Sequence, residues 1–115
     1  MTLREKQSAF VQLVARLILY AHAKGYALTF GEAWRSPEEA ARLAKAGKGI
    51  KRSLHSDRLA IDLNLFKDGK WLTSTEAHRP LGEWWEKQST AEVQCAWGGR
   101  FGDGNHYAVS QGGRK

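Results

Sequence analysis

The chain has 115 residues, a single cysteine and a formal net charge of +6, with a pI near 9.7. That length supports one domain with its own hydrophobic core, and the lone Cys95 excludes an internal disulfide and any cysteine-built zinc module. The positive balance favours a polyanionic partner such as nucleic acid, an anionic membrane or an acidic wall polymer, and charge alone does not choose among them.

The apolar run from Phe10 to Ala21 contains Gln12 and Arg16 and is too short to span a bilayer. The first residues carry Arg4, Glu5 and Lys6 without a cleavage pattern, so no signal peptide is expected and the product is expected to be made in the cytoplasm. Residues 4–24 read as an amphipathic helix, with Phe10, Val14, Leu17 and Ala21 forming one stripe and Leu13 and Ile18 flanking it. Gly25 stops it, and His22 and Lys24 sit in the last turn, where positive charge suits the helix dipole. Tyr26 to Ala33 reads as a short strand with Leu28 and Phe30 on one face. Ser36-Pro37-Glu38-Glu39 is a capping-box sequence with proline at the first helical position, and this helix runs through Leu43 and Ala44 to Gly47. Arg35, just before the cap, is either a surface arginine or one whose guanidinium is aimed by the strand-to-helix turn.

Lys45 to Arg52 forms the one local basic cluster, readable as a solvated loop or as a polyanion contact. Beyond it, Leu59, Ile61, Leu63 and Leu65 alternate with Ala60, Asp62, Asn64 and Phe66, the two-residue period of a strand. An aspartate in so apolar a strand is costly to bury unless a cation or hydrogen-bond donors meet it. Asp68-Gly69 predicts a hairpin turn into Lys70-Trp71-Leu72. Thr73 to Glu76 reads as a loop or frayed helix, Pro80 as the start of a helix carrying Leu81, Trp84 and Trp85 to about Gln88, and His78 as a surface residue. Trp84, Trp85 and Tyr107 are candidates to line a groove, with core packing the alternative for the tryptophans. Cys95 reads as a small buried hydrophobe, His106 to Ser110 as a last strand, and 111–115 as a disordered tail.

Three residues have the chemistry of a catalytic metal set, His55, Asp62 and His106, because such a site needs three His or carboxylate ligands and an open position. His55 and Asp62 are seven residues apart, an odd number, so they cannot share a face of one straight strand. The chain must bend between them, and Ser56-Asp57-Arg58 is the expected turn. Asp103 stands three residues before His106 on a glycine turn, within reach of a general base's place beside the metal. Asn64, on the same strand face as Asp62, is a candidate partner for a ligand. On spacing alone, Asp103-Gly104 also reads as an ordinary turn and His106 as a core or surface histidine.

Ser53-x-His55 followed by Ala60-x-Asp62 resembles the Ser-x-His-x-x-Gly-x-Ala-x-Asp signature of the VanY-like zinc peptidases. Asp103-x-x-His106 is similar to that family's acidic-residue-x-x-His motif, and Trp34-Arg35-Ser36 to its Tyr-Arg-Ser turn, all in the family's order over about residues 26–110. The signature glycine is Arg58 here, and the acidic residue is Asp rather than the commoner Glu, as in the phage endopeptidase branch. The resemblance implies an α+β domain, a small antiparallel sheet packed on helices in the hedgehog/D-Ala-D-Ala-peptidase manner. It implies one catalytic Zn2+ held by His55, Asp62 and His106, with Asp103 as catalytic carboxylate. Arg35 would bind a substrate carboxylate or the oxyanion, and Ser53 would be a neighbouring hydrogen-bonding residue; Ser53 and, from its place beside His106, Tyr107 are the candidate substrate contacts. The implied activity is hydrolysis of a stem-peptide bond of bacterial peptidoglycan by a phage endolysin, with L-alanyl-D-glutamate endopeptidase first and D-Ala-D-Ala carboxypeptidase the alternative. Such a protein would be a monomer that reaches the wall in the periplasm through a holin-like partner or lysis. The rival from another class is a basic nucleic-acid-binding module using Lys45 to Arg52, which leaves the His/Asp spacings unexplained.

Overall fold

Thr2 opens the first helix with a reciprocal cap: its Oγ1 accepts from Glu5 N–H, and the Glu5 carboxylate accepts from Thr2 N–H. In the computed structural model, which describes residues 1–48 and 53–115, this helix, α1, covers Leu3–Ala23. Its buried stripe is Phe10, Leu13, Leu17 and Ala21. Leu13 therefore takes the central place expected of Val14, which is half-buried. His22 lies in the last turn, as its sequence position suggests.

Strand β1 (Ala27–Phe30) is shorter than the alternation in 26–33 implies, and Phe30 is exposed. Helix α2 (Pro37–Lys45) is capped by Ser36, whose Oγ accepts from Glu39 N–H. Only that half of the expected capping box forms, because the Glu39 carboxylate binds Arg42 one turn on. Of the basic cluster 45–52, residues 49–52 lie outside the described residues.

Strand β2 (Ala60–Lys67) is the centre of the sheet. Its face carrying Ile61, Leu63 and Leu65 is buried in the core, while Asp62, Asn64 and Phe66 on the other face are half-buried, which is the alternation the sequence displays. Asp68 and Gly69 both take positive φ, 53° and 75°, and turn the chain into β3 (Lys70–Leu72), paired antiparallel with the second half of β2. The first half of β2 pairs antiparallel with β5 (His106–Val109), and β5 with β4 (Cys95–Trp97), giving the order β1-β2-β5-β4. The fold is thus α+β, a small antiparallel sheet packed against helices.

Helix α3 (Thr75–Lys87) corrects one expectation. Ser74 caps it, Oγ accepting from Ala77 N–H, and Pro80 falls inside the helix rather than at its start. Pro80 is tolerated there because, at the sixth helical position, it removes only one early intrahelical hydrogen bond. The earlier start places His78 in the helix and in the core, not on the surface. Trp85 packs edge-on to Phe10 and Tyr107 at 5.9 and 6.0 Å between ring centres, and its indole N–H donates to Ala108 O at 3.0 Å. Trp85 is thus a core residue, and Trp84 stacks on Tyr20 at 4.8 Å, so neither lines a groove at the site. Cys95 is buried and unbridged, and burial pushes its thiol pKa up to about 11. The tail, expected to be disordered, closes on itself through a Gln111–Arg114 bridge, and Arg114 pairs with Asp57 at 2.5 Å.

Trp97 ties α3 to the loop that follows β4. Its indole lies against Gly82 of α3 and Gly99 of the 3-10 turn Gly98–Phe101, with the guanidinium groups of Arg79 and Arg100 each 5.4 Å from the ring centre. A Cβ on Gly82 would overlap the ring, and the ring cannot retreat because Gly99 backs it. Gly82→Ala should therefore destabilise the fold by about 1–3 kcal/mol, although alanine favours a helix interior by about 1 kcal/mol. Urea unfolding of the two proteins checks the sign. A variant as stable as the parent would mean that Trp97 is loosely held.

Candidate metal centre

β5 is registered on β2 so that His106 lies directly opposite Asp62. The Asp62 N–H donates to Glu32 O at 2.9 Å and its carbonyl accepts from Gly31 N–H at 2.8 Å, both on the β1 side. Asp62 and His106 therefore exchange no backbone hydrogen bonds and form the closer kind of antiparallel pair, with neighbouring side chains.

His55 arrives from the other direction. Residues 54–58 form a turn in which Ser56, Asp57 and Arg58 N–H donate to Ser53, Leu54 and His55 carbonyls at 3.1–3.2 Å. This is the bend that the odd spacing of His55 and Asp62 requires. Arg58 closes it at φ 57°, a left-handed conformation that glycine adopts without strain. Arg58 nevertheless holds this turn and lays its guanidinium 5.2 Å from the centre of the Trp34 ring. Ser53 Oγ accepts from His55 N–H at 3.1 Å, fixing the start of the turn.

The outcome is one cluster of three ligand atoms within 4.8 Å of one another, from His55, Asp62 and His106. Asp62 Oδ1 lies 3.3 Å from His55 Nε2 and 3.4 Å from His106 Nδ1, and it is buried without a hydrogen-bond partner. A tetrahedral ion with bonds of about 2.0–2.1 Å keeps neighbouring ligand atoms about 3.3–3.4 Å apart, which is the spacing of the orphaned oxygen from each of the two nitrogens, while the three atoms together lie within 4.8 Å. This His-Asp-His group can hold a metal ion. Burial alone would raise the Asp62 pKa, but the facing His106 and His55 nitrogens outweigh it and leave the carboxyl at about 2. The carboxylate is thus ready to bind a cation at neutral pH.

Asp103 Oδ2 is 3.9 Å from His106 Nδ1. Its loop is held by Asp103 N–H donating to Gly98 O at 2.9 Å and by Trp97 Nε1–H donating to Gly104 O at 2.7 Å. Gly98 is required because a Cβ there would stand 2.7 Å from His106 Cβ and against Asp103 O. Burial raises the Asp103 pKa, with His106 opposing the shift and Asp62 adding to it. A carboxylate that binds a proton more readily than usual suits a general base.

Arg35, Ser53, Phe101 and Asp103 line a cleft of about 200 Å3 around the three ligands, with Lys48 and Lys115 also on its walls. A second cleft of about 200 Å3, walled by Asn64, Trp71, Thr73, Thr75 and Asn105, shares Asp103 with the first. Of the expected site residues, His55, Asp62, His106, Asp103, Arg35 and Ser53 come together. Tyr107 does not: it is fully buried on the opposite face of β5, its hydroxyl 2.9 Å from His78 Nδ1, so it cannot touch a substrate. Alternation along β5 makes this unavoidable once His106 faces the site. Asn64 serves no ligand either, since its amide donates to Thr29 Oγ1 at 3.2 Å. Glu32, absent from the expected site residues, sits beside Arg35 with its carboxylate 2.6 Å from Arg35 Nε. Its signal was available in the Glu-x-x-Arg spacing. The chain matches no protein-family model, and comparison with curated proteins finds no match.

Burial lowers the His78 pKa from 6.5 to about 4, so the unfolded chain binds this proton more readily than the folded one. Its contribution to stability is complete above about pH 6.5 and is lost as pH falls toward 4, by at most about 3 kcal/mol. Urea midpoints at pH 7 and pH 5 should fall further for the parent than for His78→Gln. Parallel falls would show that His78 does not carry this pH dependence.

Proposed function

We propose that the chain is a zinc-dependent peptidoglycan peptidase of the VanY-like kind, a phage endolysin that hydrolyses a stem-peptide bond. The observation that carries this reading is the buried, unpartnered Asp62 Oδ1 lying between a nitrogen of His55 and a nitrogen of His106. Two nitrogens and one carboxylate oxygen form a donor set that suits zinc, and Asp103 stands beside it in an open cleft. The motifs Ser53-x-His55, Ala60-x-Asp62, Asp103-x-x-His106 and Trp34-Arg35-Ser36 support the family reading.

His55, Asp62 and His106 would hold the ion, which when bound supplies Lewis acidity and lowers the pKa of water from about 16 toward about 7. Asp103, its pKa raised by burial, takes a proton from the attacking water and returns it to the leaving amine. Arg35 is 13% exposed and already anchored on Glu32, so its guanidinium meets the developing oxyanion or a substrate carboxylate without reorganising. Lys48 and Lys115 on the cleft wall favour an acidic peptide, and the net charge of +6 favours an anionic wall. The two clefts that share Asp103 leave room for substrate on both sides of the cut bond. That favours an endopeptidase, with L-alanyl-D-glutamate as the first candidate bond, over a carboxypeptidase, which needs one closed end.

Metal analysis of the purified chain should return one zinc per molecule, and chelation should stop release of stem-peptide fragments from Gram-negative walls. Asp103→Ala should retain zinc and slow release by about 10²- to 10⁴-fold, whereas His55→Ala should lose the metal. Fragment release by Asp103→Ala at the parental rate would refute the assigned base. Mass spectrometry of the fragment ends distinguishes the bonds: new N-terminal D-glutamate supports the endopeptidase, and loss of terminal D-alanine alone supports the carboxypeptidase.

A further inference from the structure

The ligand set and the base leave one carboxylate at the site without a role. Glu32 follows β1, and its backbone carbonyl accepts from Asp62 N–H at 2.9 Å, so its position is fixed by the strand that carries a ligand. Its Oε1 lies 2.6 Å from Arg35 Nε, 2.5 Å from Arg35 Nη2 and 3.8 Å from His55 Nδ1. His55 is 3% exposed, and its Nδ1 is buried with no hydrogen-bond partner. Nε2 of the same ring faces Asp62 Oδ1.

These facts constrain one another. A neutral imidazole that offers Nε2 to a cation carries its proton on Nδ1, and a buried Nδ1–H requires an acceptor. Among the described residues, Glu32 supplies the only carboxylate oxygen within 4.0 Å of that nitrogen other than through the metal-facing side. A shift of about 1 Å brings the pair into hydrogen-bond range.

Building on the reading of His55 as a metal ligand, we infer that Glu32 is a positioning residue that serves two partners. It accepts from His55 Nδ1–H, fixing the ring's tautomer and aim, and it holds the Arg35 guanidinium in the cleft. One carboxylate thereby sets the spacing between the metal-binding ring and the cation that meets the substrate, and acts on the reaction only through those two groups.

The test is zinc affinity of the full chain, measured by competition with a chromophoric chelator, alongside kcat and KM for fragment release. Glu32→Gln, close to isosteric, should bind zinc about tenfold more weakly and Glu32→Ala up to about 100-fold more weakly. Arg35→Ala should stay within about twofold of the parent in zinc affinity while losing activity, because it removes one partner of Glu32 and leaves the other. In the zinc-loaded parent, long-range 1H–15N spectra should show His55 protonated at Nδ1. Both Glu32 variants binding zinc as the parent does, or Arg35→Ala weakening zinc as much as they do, would overturn the inference and leave the metal reading standing. A folded parent that binds no zinc would overturn the metal reading itself, and this inference with it.

Discussion

The pairing of Asp62 with His106 across β2 and β5 governs the rest of the site. Both backbone polar groups of Asp62 are used by Gly31 and Glu32 on the β1 side, so the strand cannot slip without breaking two edges at once. A one-residue slip would also turn Ile61, Leu63 and Leu65 out of the core and Asp62 into it. Hydrophobic burial of one face thus fixes the carboxylate on the other. The register of β5 is fixed in the same way by Tyr107 and Val109. The polar cluster of His55, Asp62 and His106 inherits its geometry from the apolar one.

A cost comes with this arrangement. Asp62 Oδ1, His55 Nδ1 and His106 Nε2 are buried without hydrogen bonds, each worth about 1–3 kcal/mol of lost solvation. The core around them is correspondingly well made: Trp85 and Trp97 are buried and both indole N–H groups are satisfied. Strain at Arg58 is handled locally, its left-handed backbone accompanied by the contact with Trp34.

What was legible in the sequence follows from range. The β2 alternation, the Asp68-Gly69 turn, the Ser36 cap and the bend between His55 and Asp62 are set by neighbouring residues, and local rules found them. The Asp62–His106 contact joins distant segments, and it is legible only through the chemistry of the residue types and the resemblance to a zinc-peptidase signature. Errors arose where tertiary contacts decide. Pro80 suggested a helix start, but Ser74 supplied a better cap. His78 reads as a surface residue from its neighbours alone, because its partner, Tyr107, is distant in sequence. Tyr107 cannot share the site with His106, because adjacent residues on a strand face opposite ways. Glu32 gives no local sign of its place near His55, because that approach exists only after β1 and β2 have paired.

The ligands and Asp103 rest on different supports. His55, Asp62 and His106 are tied to the sheet and its entering turn, while Asp103 hangs from a loop that Trp97 fastens to α3. Replacement of the Asp103 side chain would leave the His55–Asp62–His106 group intact, since only the Asp103 backbone carbonyl supports His106, accepting from its N–H at 3.1 Å. The capacity to hold an ion and the acidic side chain beside it are thus separable by a single codon change at position 103, which would remove the carboxylate and leave the ion-holding group as it is.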